Sequence, residues 1–158
     1  MCMPRALSDC LQVTINLCLC ISLDEIMAYT KVSKGYFTLL ELLMRNHTSM
    51  LVELDSAVLT HICHSLQEGL KSYEVAISSQ CAAALEHLAA FHFRTVTEER
   101  ESSAKRQLQL HLTREPRLFS AALETLLHMI VFEDCPNQWS LSRPLLALIL
   151  TNDAVFAQ

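Results

Sequence analysis

Apolar residues along this chain recur at three- and four-residue steps, the spacing that gives a helix one buried face. The first such segment runs from about Arg5 to Ile21, where Leu7, Cys10, Leu11, Thr14, Leu17, Cys18 and Ile21 make a stripe. A short turn of helix is predicted near Ser22 to Tyr29, because Ser22 and Glu25 stand at capping-box spacing. A second long segment begins at Ser33. Tyr36, Phe37, Leu40, Leu43 and Met44 form its inner face, and Leu39 and Leu42 widen it. A third starts after Asp55 or Ser56, both favourable N-caps. In it Val58, Leu59, Ile62, Cys63, Leu66 and Leu70 turn inward, His61, His64, Gln67 and Glu68 turn outward, and Gly69 lies near the end.

The fourth segment covers about Ser79 to Thr95, with Cys81, Ala84, Leu85, Leu88 and Phe91 on one side. Its alanines predict a close neighbour, since the distance between helix axes follows side-chain size. Residues 97–113 interrupt the pattern as a polar, charged linker, helical only in part through Leu108 and Leu112. The fifth segment covers about Pro116 to Phe132, with Pro116 tolerated in a first turn. Its polar residues Ser120, Glu124 and His128, with Thr125 beside them, occupy a narrow stripe, so neighbours must cover most of its circumference. The sixth follows the turn Glu133 to Asn137 and reaches about Thr151.

Six segments of similar length pair as three helical hairpins: one with two, three with four, five with six. The expected fold is all-α, a single HEAT-like α-solenoid segment over residues 1–158, since HEAT-type units run about 40–47 residues and keep shape rather than sequence. A helical bundle is the alternative. Composition agrees with either. The 158 residues are 51% apolar and 18% charged, with two glycines and four prolines, too few for strands joined by tight turns. The first and last segments are both strongly apolar, so neither reads as the polar cap that ends a solenoid. The chain is therefore expected to be a piece of a longer array.

Candidate chemistry is sparse. The net charge is -5 and no stretch concentrates Lys and Arg, which excludes a nucleic-acid footprint. The run Glu98-Glu99-Arg100-Glu101, with Lys105-Arg106 after it, mixes signs and reads as a solvated face. The longest apolar run, Leu145 to Leu150, falls far short of the roughly 20 residues that span a bilayer. Arg5 precedes an apolar-leaning stretch, but Asp9, Gln12, Thr14 and Asn16 interrupt it, so a signal peptide is not expected. The seven cysteines then read as reduced small hydrophobes, and the Asn46-His47-Thr48 sequon as unused. His61 and His64 lack a second ligand pair for a metal. Cys18 and Cys20 point to different faces, and Cys63 diverges from His64 by about 100° around the helix. No catalytic, cofactor-binding or metal-binding residue is expected, and the chain is not expected to be an enzyme. Trp139 reads as a packing anchor between hairpins. Glu133, Asp134, Asn137, Gln138 and Arg143 around it read as an inter-helix hydrogen-bond cluster, with a protein-contact surface as the alternative.

The run from Phe132 to Leu150 carries three blocks: Phe132-Glu133-Asp134-Cys135, then Asn137-Gln138-Trp139-Ser140, then Ser142-Arg143-Pro144-Leu145-Leu146. It resembles the C-terminal region of the exportin seven and Ran-binding protein sixteen and seventeen group, in the importin-β superfamily of nuclear transport receptors. Further echoes lie in Tyr36 to Glu41, His61 to Leu70 and Ser78 to Cys81. The resemblance implies a HEAT superhelix that carries folded cargo through nuclear pores with Ran-GTP. Its implied partners are Ran, protein cargo and nuclear pore proteins, and its implied location is nucleus and cytoplasm. The resemblance also implies that the principal Ran-binding surface lies in N-terminal repeats outside this stretch, and that the chain is a fragment, a short isoform or a truncated gene model of a longer receptor. A structural scaffold of the same architecture, without transport activity, is the second reading.

Overall fold

A computed structural model of the chain describes residues 5–98, 101–133 and 137–156, with side chains at 9–98, 101–133 and 137–152. The described residues form helices and turns and contain no strand. The helices are α1 (Arg5–Leu19), α2 (Leu23–Ala28), α3 (Thr30–Leu51), α4 (Ser56–Leu70), α5 (Val75–Thr97), α6 (Ser103–Arg114), α7 (Leu118–Phe132) and α8 (Gln138–Phe156).

Local chemistry sets most boundaries. The Ser22 hydroxyl accepts from Glu25 N–H while the Glu25 carboxylate accepts from Ser22 N–H, which completes the capping box that opens α2. Asp55 caps α4 by accepting from Ala57 N–H at 3.2 Å. α3 bends at His47, which leaves helical geometry at φ -135° and ψ 29°. Around the bend Asn46 donates to the Leu42 carbonyl and the Thr48 hydroxyl to the Met44 carbonyl, so side chains engage backbone groups there.

The helices form two layers. In one, α5 lies between α3 and α8 and packs extensively on both; in the other, α4 packs on α7. α4 with α5 and α7 with α8 are antiparallel hairpins that bridge the layers. A row of three helices over a second layer is a HEAT-like stack rather than a bundle closed on one axis. The core draws on both layers: Phe37, Leu40 and Met44 of α3, Leu66 and Leu70 of α4, Cys81, Leu85 and Leu88 of α5, Leu126 of α7, and Leu141 and Leu148 of α8. Small residues bring the helices close. Ala82, Ala84 and Ala89 are wholly buried, and a Cβ on Gly69 would lie 2.4 Å from the Cys81 sulfur and 2.7 Å from the Phe37 ring. Between α3 and α4, buried Tyr36 and Ser65 hydroxyls pair at 3.2 Å.

Four expectations need correction. Residues 97–113 are largely helix: α6 starts at Ser103, capped by the Ser102 hydroxyl accepting from Lys105 N–H, and buries Ala104, Leu108 and His111. In α1 the buried position is Ile15, with Leu11, Cys18 and Leu19 packed around the core, while Cys10, Leu17 and Ile21 are exposed. α5 begins at Val75, four residues before Ser79, and buries Ile77 and Ser78. Pro116 lies in the turn before α7 rather than inside its first helical turn.

Candidate interaction surface

Polar side chains tie the α3–α5–α8 row together along one face. Lys34 of α3 meets Glu74, the N-cap of α5, at 3.1 Å. Gln80 of α5 donates to the Thr38 hydroxyl at 2.8 Å. Glu41 of α3 lies 3.6 Å from the His87 ring nitrogen of α5 and 3.4 Å from Arg45. Arg143 of α8 reaches Glu86 of α5 at 3.1 Å. Asn137, just before α8, donates to the Ser79 hydroxyl at 2.7 Å and to the Ser78 hydroxyl at 3.4 Å. Exposed ion pairs stabilise little, but the contacts that cross between helices fix how one sits along the next. The N-terminal ends of α3, α5 and α8 are thereby held side by side.

That arrangement separates the residues expected to form one cluster around Trp139. Asn137 and Arg143 bind α5, Glu133 lies 3.3 Å from the His128 ring nitrogen of α7, and Gln138 is exposed. Asp134, with Cys135 and Pro136, is outside the described residues. Trp139 is not a packing anchor: it is 92% exposed. The reason is helical geometry. α8 turns Leu141, Pro144 and Leu148 inward, and a residue two positions before Leu141 points about 200° away. Asn137, four residues before Leu141, takes the inward position instead and is buried.

Exposed aromatic rings therefore gather where the hairpins turn. Tyr73, between α4 and α5, is fully exposed, and Phe132 at the end of α7 and Trp139 at the start of α8 project as well. Beside them runs an open groove of about 900 Å³ lined by Lys71, Tyr73, Glu124, Thr125, His128, Met129 and Glu133. The His128 and Phe132 rings lie 5.3 Å apart along its margin. Aromatic side chains at an exposed edge, flanked by charges of both signs, have the composition of a protein-contact surface.

The other candidates stay apart. His61 is half-buried and His64 exposed, and no group of three or more His, Cys, Asp or Glu side chains suited to a metal lies among the described residues. Cys18 is half-buried while Cys20 is exposed and donates to the Asn16 carbonyl. Cys63 is buried, and burial, followed by the Glu115 carboxylate, pushes its thiol up to about 12, the reverse of what a nucleophile needs. Burial raises the Cys81 thiol further. The five described cysteines are free; Cys2 and Cys135 are outside the described residues.

One polar contact was not legible from spacing. His111 of α6 lies 2.9 Å from the Val52 carbonyl through Nε2 and 3.0 Å from the Ser56 hydroxyl through Nδ1. The carbonyl can only accept, so Nε2 carries the proton and Nδ1 accepts from Ser56 in the neutral ring. The contact pins α6 to the turn between α3 and α4. Only the pairing of His111 with Leu108 and Leu112 on one helical face pointed to its burial.

No family model and no solved structure matches the chain. It is similar to Ran-binding protein 17 of Homo sapiens, with 35% identity over 156 residues that cover 94% of this chain and 14% of that protein. It is also similar to Exportin-7-B of Xenopus laevis, with 34% identity over 159 residues, covering 97% of this chain and 15% of that protein. Ran-binding protein 16 of Drosophila melanogaster is 30% identical over 155 residues, 91% of this chain and 14% of that protein.

Proposed function

We propose, for a chain homologous over nearly its whole length to one stretch of the exportin-7 and Ran-binding protein 16 and 17 group, that it is a repeat segment of an exportin-type nuclear transport receptor. Its work is binding protein surfaces, not catalysis. The observation that carries this reading is the extent of the similarity, 94% to 97% of this chain in two relatives. The chain spans only 14–15% of those relatives, so cargo recognition, Ran-GTP control and pore passage belong to the longer array in which the segment acts. Residence in nucleus and cytoplasm follows from that role. The resemblance of the Phe132 to Leu150 stretch supports a place among the C-terminal repeats of such a receptor.

Within the segment, the edge bearing Tyr73, Phe132 and Trp139 is the contact surface for a protein partner. The core holds without these rings, whose exposure is what a binding anchor requires.

The test replaces the matching stretch of a full-length receptor of this group with the chain and follows export of a reporter cargo. Export at a rate close to that of the parent receptor is expected. A folded chimera that binds Ran-GTP but exports no cargo would favour the scaffold reading.

A further inference from the structure

We infer that the groove between α4 and the α6–α7 corner binds an extended segment of a partner protein in which acidic residues alternate with aliphatic ones. The site stands apart from the aromatic edge, at the other end of the α4/α7 layer. Two hollows of about 220 and 510 Å³ open there, and Thr60, His64 and Glu115 line both, so they form one groove. Contacts already described set its walls. α4 packs on α7, and His111 pins α6 to the turn before α4, which brings Arg114 and Glu115 against the first turns of α4.

The two long walls differ in chemistry. On the α7 side the lining is apolar, through half-buried Leu118 and Ala121. On the α4 side stand the Thr60 hydroxyl and the His61 and His64 rings, with the Arg114 guanidinium beside them. All four groups can donate hydrogen bonds, and none has a partner among the described residues. The neighbouring polar groups are already committed: Ser56 donates to His111, Gln67 to the Leu118 carbonyl, and Arg117 to Glu124. Glu115 is the one carboxylate among the described lining residues.

Charge complementarity names the occupant. The chain carries a net charge of -5, yet this groove sets two arginines against one glutamate. An acidic segment is repelled by the molecule at large and drawn to this groove. From Ala57 to Gln67 the groove follows α4 for about 15 Å, the span of about five extended residues. Successive side chains of such a segment point to opposite sides, so one set meets Leu118 and Ala121 while the other offers carboxylates to the donors. A nucleic acid fits poorly, because no Phe, Tyr or Trp among the described lining residues offers a base a stacking surface.

Fluorescence anisotropy with the full chain tests this, using a labelled peptide about seven residues long that alternates glutamate with leucine. Saturable binding is expected, and none of the lysine–leucine counterpart. Arg114→Gln should weaken binding by about two- to fivefold, the range of an exposed ion pair, and Glu115→Gln should tighten it by a similar factor. Both positions are exposed, so unchanged circular dichroism is expected. Arg106→Gln removes the same charge about two turns earlier on α6 and should leave binding unchanged. Opposite shifts from adjacent residues cannot come from a general loss of structure. Absence of saturable binding would overturn the inference. So would shifts of the same sign in the Arg114 and Glu115 variants, an equal loss in the Arg106 variant, or tighter binding of an oligothymidylate of equal charge.

Discussion

At the scale of single residues, the two glycines make opposite predictions from the same substitution. Both sit inside helices, where glycine ordinarily costs about 0.5–1 kcal/mol relative to alanine. A Cβ added at Gly35 would have nothing within 4 Å, so Gly35→Ala should stabilise the chain by about that amount. Gly69 faces the Cys81 sulfur and the Phe37 ring inside the contact distance of real atoms. Gly69→Ala should therefore destabilise by about 1–3 kcal/mol, because overpacking outweighs the helix gain. Urea unfolding of the two variants checks both signs. His92 supplies a pH prediction. Burial lowers its pKa below the usual 6.5, its Nδ1 is buried without a hydrogen-bond partner, and its ring lies 5.5 Å from Phe119. The folded state thus holds its proton less tightly than the unfolded state. Its contribution is fully present above the unfolded value and is lost as pH falls through and below 6.5. Unfolding midpoints between pH 7.5 and 5 should fall more steeply for the wild type than for His92→Phe.

At the scale of elements, α6 shows what periodicity could and could not reveal. Its composition is polar, and Leu108 and Leu112 alone hinted at helix, yet the element is fixed by a histidine whose partners lie in a turn more than fifty residues earlier. A contact that distant in sequence leaves no local trace. His111→Ala would leave the buried Val52 carbonyl without this donor, at a cost of about 1–3 kcal/mol. Hydrogen exchange should accelerate across 103–114 while the α4–α5 hairpin keeps its protection. Where polar and apolar positions contrast sharply, reading was direct: the predicted inner face of α3, from Tyr36 to Met44, is the buried one, and the Ser22–Glu25 capping box opens α2. α1 defeated the same reasoning because Val13, Ile15, Leu17 and Leu19 put apolar groups on several sides of it. Periodicity then cannot choose which side meets the core, and tertiary packing chose Ile15.

At the scale of the whole molecule, the candidate surface was only half legible. The stretch around Trp139 was distinctive in sequence, but whether the ring packs or projects depends on the rotation of α8, which Asn137 and Arg143 set through α5. Because the ring is exposed, Trp139→Ala should change stability by less than about 0.5 kcal/mol. In a full-length chimera it should weaken partner binding by about 2 kcal/mol if the ring is an anchor, which calorimetric titration would measure. On the proposed function, the chain acts as one segment of a longer receptor rather than as a complete Ran-binding domain. Titration of Ran-GTP against the isolated chain, with its sedimentation recorded in the same buffer, tests that most directly. Weak or undetectable binding is predicted, and tight binding of Ran-GTP by the isolated chain on its own would contradict it.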